Sequence, residues 1–538
     1  MIEQRLLNMR KALNLKLFKS PTRHPIFAVK GMQFASGSPG KMPCHLAFQS
    51  AAMRFPTFFL ALCPLLAAVA QPNIILINID DLGYAEIGAF GSQNATPQLD
   101  RMAQEGMKLT SHYAAPVCSP SRAAMMTGCY PKRVLPTPHV LFPAAAVGLN
   151  PAEVTVAEVL KQQGYATACI GKWHLGDQPE FLPTAQGFDH YFGIPYSNDM
   201  GTAAEGSKSN PGSPLPNPNA KAKNKKAPAA NDETGLKGNS QPPLPMLDDH
   251  NVVERVKAAE QHTLTRRYTE RAVKYIREHR EKPFFLYFPH SAVHFPLYPH
   301  HDHIGKSGKG LLGDWVREVD WSVGQVLATV RELKLDSNTL VIFTSDNGGP
   351  INQGADNTPL RGGKGSTLEG GIRVCTLAWW PGKIAPGSQT NAITAHMDWL
   401  PTFAVLGGGK SPSDRKLDGK DISPLLLAKA AASGHDVFHY YRGFDLEAVR
   451  SGPWKLHLAK TELYNLETDI GEAKNIAAEH PDQVARLQAL AKAMKADLGD
   501  KTATAPGVRP LGRVPHPLPL IGHDGTVRPG FDKIAKKL

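Results

Sequence analysis

Two long apolar runs that end in acidic or amide side chains constrain the fold of this 538-residue chain most strongly. "NIILINI" is followed by Asp80-Asp81, and "TLVIFTS" is followed by Asp346-Asn347. Such continuous runs are typical of strands buried on both faces, as in a parallel sheet covered by helices. The sequence therefore predicts an α/β fold whose large, mixed, mostly parallel central sheet is flanked by helices. Helical patterns alternate with the strands, at about 97–106, 155–164, 264–279 and 315–333.

The pattern changes after about residue 435. Short alternating runs there indicate an antiparallel sheet, and 481–499 reads as one long amphipathic helix. We therefore expect a main domain at 71–434 and a small C-terminal α+β subdomain at 435–500. A proline-rich tail follows at 501–538. Within the main domain, 204–245 has no periodicity and is rich in Pro, Asn, Ser, Lys and Gly, so it is interpreted as a low-complexity insertion.

The N-terminal region has the features of an export signal. From Met53, one arginine precedes an apolar run at 58–69 that ends in Ala-Val-Ala, which predicts a secretory signal peptide at 53–70. A buried core helix is the alternative. If 53–70 is a signal peptide, Met53 is the expected start and residues 1–52 are an upstream extension added by a misplaced start. Because the apolar run is shorter than the roughly 20 residues of a membrane span, we expect export to the periplasm or medium without stable membrane insertion.

Charge and cysteine content exclude several classes of function. The net charge is +12, but the first 70 residues carry nine basic side chains and one acidic one. The remainder has no basic helix with interleaved aromatic residues, so no nucleic-acid partner is expected. Processing after residue 70 would leave four cysteines without CxxC spacing, which disfavours a zinc site, a disulfide framework and a redox thiol, although one disulfide stays open. These are Cys118, Cys129, Cys169 and Cys375.

The two acidic strand ends predict a metal site. In open α/β sheets, ligands bind outside the carboxyl ends of the strands, where these side chains would meet. Three carboxylates in one place repel one another unless a cation lies between them. All-oxygen ligands favour a hard ion, Ca²⁺ or Mg²⁺, over zinc. Each pair taken alone is equally typical of a turn or a helix cap.

Basic side chains in glycine-rich or strand-end loops indicate a site for a tetrahedral oxyanion, sulfate or phosphate. They occur in "GKWHLG", "LRGGKGSTLEGG" and "PHSAVHFPL". A single lysine in such a loop is usually solvated and a single histidine usually structural, so the inference depends on their convergence. The residues concerned are Lys172, His174, His290, His294, Arg361 and Lys364.

A family resemblance becomes specific at "CSPSRAAMMTG", which starts at Cys118 and matches the C-x-P-S-R…T-G pattern of type I sulfatases. "NIDDLGYAEIGAFG", "GKWHLG", "GIPYSND", "TSDNGG" and "LRGGKGSTLEGGIRV" also occur in the family's order. From about residue 72 to 498 the chain resembles arylsulfatase A-like, formylglycine-dependent enzymes of the alkaline phosphatase superfamily. The resemblance implies hydrolysis of sulfate monoesters.

The resemblance also implies a cofactor made from the chain itself. A formylglycine-generating enzyme would oxidise Cys118 to Cα-formylglycine, whose aldehyde hydrates to a gem-diol. One hydroxyl, bound to calcium, would attack sulfur and expel the alcohol. Deprotonation of the second hydroxyl would then eliminate sulfate and restore the aldehyde. The positions that match the family's calcium ligands are Asp80, Asp81, modified Cys118, Asp346 and Asn347.

The remaining roles are carried over position by position. Arg122 would orient the modified residue, while Lys172 and Lys364 would hold sulfate oxygens. His174 would be the base for sulfate elimination. His294 would protonate the leaving oxygen and contact substrate, assisted by Lys364.

The substrate is the least constrained part of the prediction. Ser197, in "GIPYSND", matches a substrate-contacting position. For an exported enzyme we expect sulfated carbohydrates, with aryl sulfates as further substrates. One alternative is a phosphomonoester or phosphonate hydrolase on the same scaffold, because sulfate and phosphate share a shape. Another is a catalytically idle binder of sulfated polysaccharides that uses the basic insertion.

Overall fold

A computed structural model describes residues 71–214, 231–534 and 536–537. The expected upstream extension, the signal peptide and the middle of the insertion lie outside the described residues. In the part that is described, no helix combines the length and the apolar composition needed to cross a membrane.

Seventeen strands occur among the described residues. They are β1 Asn73–Ile79, β2 Met107–Tyr113, β3 Val147–Gly148, β4 Ala166–Ile170, β5 His190–Gly193, β6 Pro245–Asp248, β7 Asn251–Arg255, β8 Phe284–Pro289, β9 Thr339–Ser345, β10 Arg373–Trp379, β11 Ser388–Thr390, β12 Thr394–Ala395, β13 Phe438–Arg442, β14 Asp445–Ser451, β15 Trp454–His457, β16 Glu462–Asn465 and β17 Gly512–Arg513.

The α-helices of the same residues vary widely in length. They are α1 Pro97–Glu105, α2 Cys118–Thr127, α3 Pro131–Val134, α4 Val156–Lys161, α5 Ala258–Gln261, α6 Leu264–Glu278, α7 Gly310–Glu332, α8 Glu369–Ile372, α9 Trp399–Leu406, α10 Ser423–Leu426 and α11 Pro481–Leu498. The four helices predicted in the main domain are confirmed as α1, α4, α6 and α7, with shifted ends.

The central sheet is mixed and mostly parallel at its centre, as predicted. Its order is β11-β2-β10-β9-β1-β8-β4-β5-β6-β7, with β12 also paired to β2. Strands β9, β1, β8, β4 and β5 run parallel, whereas β10, β6 and β7 join antiparallel. All seven residues of β1 are buried. Ile74 and Leu76 belong to one apolar cluster and Ile75 and Ile77 to the other, so helices cover both faces of the strand.

Strand register decides which side chains meet at the carboxyl edge of the sheet. Strand β1 pairs with β9 so that Ile79 lies opposite Ser345. The next residues, Asp80 and Asp346, therefore leave the sheet side by side. Asp346 N–H donates to the Ile79 carbonyl at 2.9 Å, which extends the pairing by one residue.

Thr96, directly before Pro97, has the residue type expected of an N-cap for α1, but the structure caps this helix differently. Thr96 precedes the helix, but its side chain does not cap it and instead accepts from the Gly88 amide at 2.8 Å. Asp320, on α7, accepts from the amides of Gln98 and Leu99 at 3.0 and 2.9 Å. A carboxylate from another helix therefore satisfies the free amides of α1, a contact that local sequence does not encode.

The C-terminal residues form the predicted α+β unit. Strands β13–β16 make an antiparallel sheet in sequence order, and α11 packs on it through Leu487 and Ala491. All described residues nevertheless lie in one compact unit.

The described parts of the proline-rich tail and of the insertion, the latter at 204–214 and 231–245, are more structured than their composition indicates. In the tail, β17 pairs with β3, and Leu520, Ile521 and Phe531 are buried in the main core. Strand β6 begins at the last residue of the insertion, and the Thr234 carbonyl accepts from the Phe142 amide at 2.7 Å. These segments pack on the main domain through backbone pairing and apolar side chains.

A fully buried ion network joins the small sheet to the main domain. Lys455 Nζ, on β15, lies 2.8 Å from Glu369 and 2.9 Å from Glu472, and all three side chains are inaccessible to solvent. It also donates to the Thr367 carbonyl at 2.8 Å. Burial alone would raise the pKa of Glu369, but Lys455 and Arg373 hold that pKa well below its ordinary value.

Removing the lysine should destabilise the fold. We expect Lys455→Met to lower the free energy of unfolding by about 3–5 kcal/mol, because Glu369 and Glu472 would stay buried with less compensating charge. Denaturant unfolding measures this change. Lys460→Met, at an exposed lysine in the turn between β15 and β16, is the control and should change stability by no more than about 0.5 kcal/mol. Equal midpoints for the two variants would contradict a stabilising role of the network.

Candidate active site

Four acidic or amide side chains line the carboxyl edge of β1 and β9. Asp80, Asp81, Asp346 and Asn347 are all essentially buried. Asp81 has a left-handed backbone, with φ of 62°, and its amide donates to Asp346 Oδ1 at 3.2 Å. The turn after β1 thus directs two consecutive carboxylates into one place, as predicted.

Cys118 is the first residue of helix α2 and lies directly against these carboxylates. Its side chain is buried, and Sγ lies 3.4 Å from Asp80 Oδ1. Two helix hydroxyls fix the position of α2. Ser121 Oγ accepts from the Ala115 amide at 2.8 Å and donates to the Asp346 carbonyl, and Ser119 Oγ accepts from the Leu141 amide at 3.1 Å.

Arg122 connects the helix to both strand ends. Its guanidinium contacts Asp346 Oδ2 through Nη2 at 2.8 Å and Nε at 3.1 Å, and Asp80 Oδ2 through Nη2 at 3.2 Å. Nη1 donates to the Lys172 carbonyl at 2.6 Å. One side chain therefore holds β1, β9 and the loop after β4 in register.

Ser197 joins two of the predicted substrate-binding residues. Lys172 Nζ contacts Asp80 Oδ2 and donates to Ser197 Oγ at 3.1 Å. On the other side, Ser197 Oγ lies 3.2 Å from His294 Nδ1. His294 Nε2 faces Asp81 Oδ2 at 3.6 Å. The structure therefore places Lys172, Ser197 and His294 in one row beside the carboxylates.

Lys364 reaches the same centre from the glycine-rich loop. Its Nζ lies 2.7 Å from Asp81 Oδ1. Asn347 Nδ2 donates to the same oxygen at 2.7 Å. Burial opposes the charged form of Lys364, but Asp81 and its neighbours raise the pKa of the ammonium group above its ordinary value.

His174 is a buried, neutral imidazole next to this cluster. Its Nε2 lies 2.9 Å from the Leu141 carbonyl, which can only accept, so Nε2 carries the hydrogen. Nδ1 is buried without a hydrogen-bond partner among the described residues. Burial, together with Lys172 and Arg122, lowers the pKa of His174 well below its ordinary value. The ring therefore offers a free basic nitrogen at neutral pH.

Two of the basic residues named from sequence do not join the site. His290 packs on Phe288, with ring centroids 4.3 Å apart, and its Nε2 lies 3.3 Å from Ser322 Oγ on α7. Burial lowers its pKa to about 3. Arg361 Nη1 instead donates to the Glu472 carbonyl at 2.8 Å. Both have structural partners away from the cluster.

Charge in the cluster is balanced, and the thiol is inert as it stands. Three carboxylates face three cationic side chains. Burial would raise the pKa of Asp80, but Lys172, His294 and Arg122 hold it well below its ordinary value. Burial, with Asp346 and Asp80 nearby, raises the pKa of the Cys118 thiol well above its ordinary value. An uncharged thiol is a poor nucleophile and a poor metal ligand.

The donor set fits a hard divalent cation. Asn347 Oδ1 is buried and lacks a hydrogen-bond partner among the described residues, which leaves one oxygen available to a ligand. Asp80, Asp81, Cys118 and His294 offer atoms that lie within 4.8 Å of one another. Asp346 contributes less directly, since its Oδ2 faces Arg122. Carboxylate and amide oxygens are the ligands that Ca²⁺ and Mg²⁺ prefer.

Comparison with known proteins identifies the family. A family model described as Sulfatase matches residues 72–409. The chain belongs to the sulfatase family. It is 39% identical to arylsulfatase A from Bos taurus over 414 residues, which cover 74% of this chain and 77% of that protein. It is 38% identical to N-acetylgalactosamine-6-sulfatase from Mus musculus, over 73% of this chain and 74% of the relative.

A solved structure agrees with this assignment. The PsFucS1 sulfatase from Pseudoalteromonas sp. has a TM-score of 0.68 and 27% identity, and the match covers 82% of this chain and 92% of that one. This sulfatase is therefore a type I enzyme of the arylsulfatase A-like kind, a sulfuric ester hydrolase.

Some supporting residues were missed from the sequence. Lys455 and Glu472 hold the C-terminal end of the loop that carries Lys364, because Lys455 donates to the Thr367 carbonyl and Glu472 accepts from the Glu369 amide at 2.7 Å. A lysine between Trp454 and Leu456 in a short strand is the one local sign of this role.

Proposed function

We propose that this sulfatase is an exported enzyme that hydrolyses sulfate monoesters of carbohydrates. It would use formylglycine made from Cys118 and a Ca²⁺ ion, with Mg²⁺ as the alternative cation. The observation that carries the proposal is the position of Cys118. Cys118 is the first residue of helix α2 and is 1% exposed. Its Sγ lies 3.4 Å from Asp80 Oδ1, within a cluster that also contains Lys172 and Lys364.

The environment of Cys118 supports its conversion to another group. The raised pKa of the thiol keeps it protonated at neutral pH, and a sulfated cysteine would be a stable end point. Formylglycine supplies a hydrated aldehyde, from which sulfate can be released by elimination. The start of helix α2 favours negative charge at residue 118, because its free amides point that way.

The metal proposal rests on carboxylate and amide oxygens that lie close together at the ends of β1 and β9. Asp80, Asp81, Asp346 and Asn347 would hold the cation, together with the modified residue 118. A bound divalent cation neutralises charge on the nucleophile and on the sulfate. Its charge would also offset the repulsion between Asp80 and Asp346, since burial and Asp80 raise the pKa of Asp346.

Two lysines are suited to hold the sulfate group. Lys172 and Lys364 approach the centre from different loops and contact different carboxylates, Asp80 and Asp81. In the loaded site these carboxylates would face the cation and the ammonium groups would face sulfate oxygens. Fixed positive charges in a buried site stabilise the charge that develops in the transition state.

His174 and His294 would each carry out one of the two proton transfers of the reaction. His174, with its free Nδ1, would take the proton that starts sulfate elimination. His294 Nδ1 lies near the Ser197 hydroxyl and the Phe295 carbonyl, so Nε2 remains for the leaving oxygen. Ser197 would orient His294 and contact the substrate. General acids of this kind contribute about 10²–10⁴-fold.

Carbohydrate substrates and export are supported indirectly. The relative from Mus musculus is named for a sulfated sugar, N-acetylgalactosamine 6-sulfate. Export rests on the signal-peptide pattern at 53–70. Maturation would also require a formylglycine-generating enzyme as a transient partner.

Loss of Cys118 should abolish turnover. We expect Cys118→Ala to lower kcat by about 10³-fold or more while the protein stays folded, because the nucleophile is lost. Sulfate release from 4-nitrophenyl sulfate, with peptide mass spectrometry of residue 118 in the parent protein, measures this. Cys129→Ala, at another buried free cysteine, is the control. Retained activity in Cys118→Ala, or a faster reaction on 4-nitrophenyl phosphate than on the sulfate, would refute the proposal.

Calcium should both activate and stabilise the enzyme. After exhaustive dialysis against a chelator, we expect low activity and a lower Tm, and Ca²⁺ at 100 times its Kd should restore about 2.7 kcal/mol of stability. Asp81→Asn should reduce the Ca²⁺-dependent rise in Tm. Asp436→Asn, at an exposed carboxylate, should leave it intact. Indifference of activity and Tm to the chelator would contradict the metal site.

His294 should matter most for poor leaving groups. We expect His294→Ala to reduce turnover of a hexose sulfate by about 10²–10³-fold, because an alkoxide needs a proton to leave, and turnover of 4-nitrophenyl sulfate by less than about tenfold. Steady-state kinetics on both esters measures the difference. His301→Ala, at an exposed histidine, controls for histidine loss. Equal losses on both esters would rule out the acid role.

A further inference from the structure

A cavity of about 390 Å³ lies between helix α2 and the small C-terminal sheet. One wall is the segment that leads into and begins α2, including Val117 and Pro120. The opposite wall is the turn between β13 and β14, at 442–445. Gly443 brings this turn close to the loop at 137–139, since an added Cβ would lie 2.8 Å from the Pro138 carbonyl oxygen.

The cavity borders the catalytic residues. Val117 and Gly365 both line the cavity. Val117 directly precedes Cys118 in the sequence, and Gly365 directly follows Lys364. The Gly365 amide donates to the Pro116 carbonyl at 2.8 Å and joins these two segments. The cavity therefore lies against the two chain segments that carry Cys118 and Lys364.

The lining combines aromatic rings with positive charge. Phe438, Tyr441 and Phe444 present rings, and Lys132 and Arg442 are cationic. Among the described residues that line the cavity, Asp445 is the only one with a carboxylate. Aromatic faces pack against sugar rings, and cationic side chains select anionic substituents.

Lys132 is the feature that requires a ligand. The residue is 1% exposed, yet no carboxylate of the described residues lies within ion-pair distance of its ammonium group. Its protein contacts are the Thr502 carbonyl and the Phe444 ring, whose centroid is 4.6 Å from Nζ. Arg442, by contrast, is paired with Glu447. Burial lowers the pKa of Lys132 to about 8 against the opposing effects of the more distant Asp445 and Asp500. Buried charges are normally paired.

We propose that this cavity binds a second, anionic sugar adjacent to the sulfated one, with Lys132 contacting its carboxylate or sulfate. The proposal rests on the proposed activity toward carbohydrate sulfates. The volume is in the range of cavities that hold small molecules, and it leaves room for about one or two sugar rings. The preferred substrate is thus an acidic oligosaccharide rather than a neutral or aryl sulfate.

Kinetics with paired substrates tests the inference. The probes are a sulfated hexosamine linked to a uronic acid, the same sugar linked to a second sulfated sugar, the same sugar linked to neutral hexose, and 4-nitrophenyl sulfate. We expect Lys132→Met to raise KM for the acidic disaccharides about tenfold relative to KM for 4-nitrophenyl sulfate, as loss of a charge-assisted hydrogen bond predicts. Lys132→Arg should retain part of the preference, and Lys429→Met, at an exposed lysine, is the control.

A binding measurement separates this inference from the proposed function. Calorimetry on Cys118→Ala, with and without Lys132→Met, measures the affinity for each disaccharide without turnover. Weaker binding of the acidic disaccharides alone supports the subsite, and the stronger of the two identifies its anion. Equal effects of Lys132→Met on acidic and neutral probes, or a lower Tm without a change in selectivity, overturn it. Absence of turnover on all esters, with formylglycine present, would instead refute the proposed function.

Discussion

The ion pairs of Arg122 with Asp80 and Asp346 are the interaction on which the rest of the site depends. Parallel pairing of β1 with β9 places two carboxylates side by side, and both are fully buried. Like charges in such a position are costly unless a cation lies between them. The planar guanidinium contacts both at once, which a lysine could not do in the same geometry. Because Cys118 is four residues before Arg122 on α2, the same contacts fix Cys118 against Asp80.

The remaining side chains are held by shared partners, so the site is organised before substrate arrives. Ser197 links Lys172 to His294, and Asp81 links His294 to Lys364. The small C-terminal sheet extends this order outward, because Lys455 holds the carbonyl of Thr367 in the loop of Lys364. Donors fixed in advance need no reorganisation during the reaction. The contacts of Lys455 with Thr367 and Glu369 also tie the small sheet to the main domain, and the two form one compact unit.

The sequence separation spanned by each interaction decides whether the sequence alone could predict it. The buried strands and their acidic ends were predictable, because period and composition are local and parallel strands align their carboxyl ends. Long-range contacts were not. Asp320 caps α1 from more than 200 positions away, and the packing of Leu520 and Phe531 depends on surfaces that only the folded domain presents. His290 and His294, four residues apart, show the same limit, since the local loop pattern treats them alike, whereas the family resemblance assigns a role to His294 and the fold separates the two.

Burial has opposite consequences for the two kinds of group in the centre. It keeps the Cys118 thiol protonated, so the side chain encoded by the gene is unreactive in its native place. The same low dielectric strengthens the interaction of Lys172, Lys364 and Arg122 with any anion that enters. The three cations are matched by three carboxylates, so an anion gains little until further positive charge is added. A divalent cation at Asp80, Asp81 and Asn347 would supply that charge, and the net charge of the centre would then complement the sulfate monoester anion and the sulfate dianion released from it. Under the proposed function, chemical conversion of residue 118 and cation binding would therefore both follow from the burial and the charge balance of this centre.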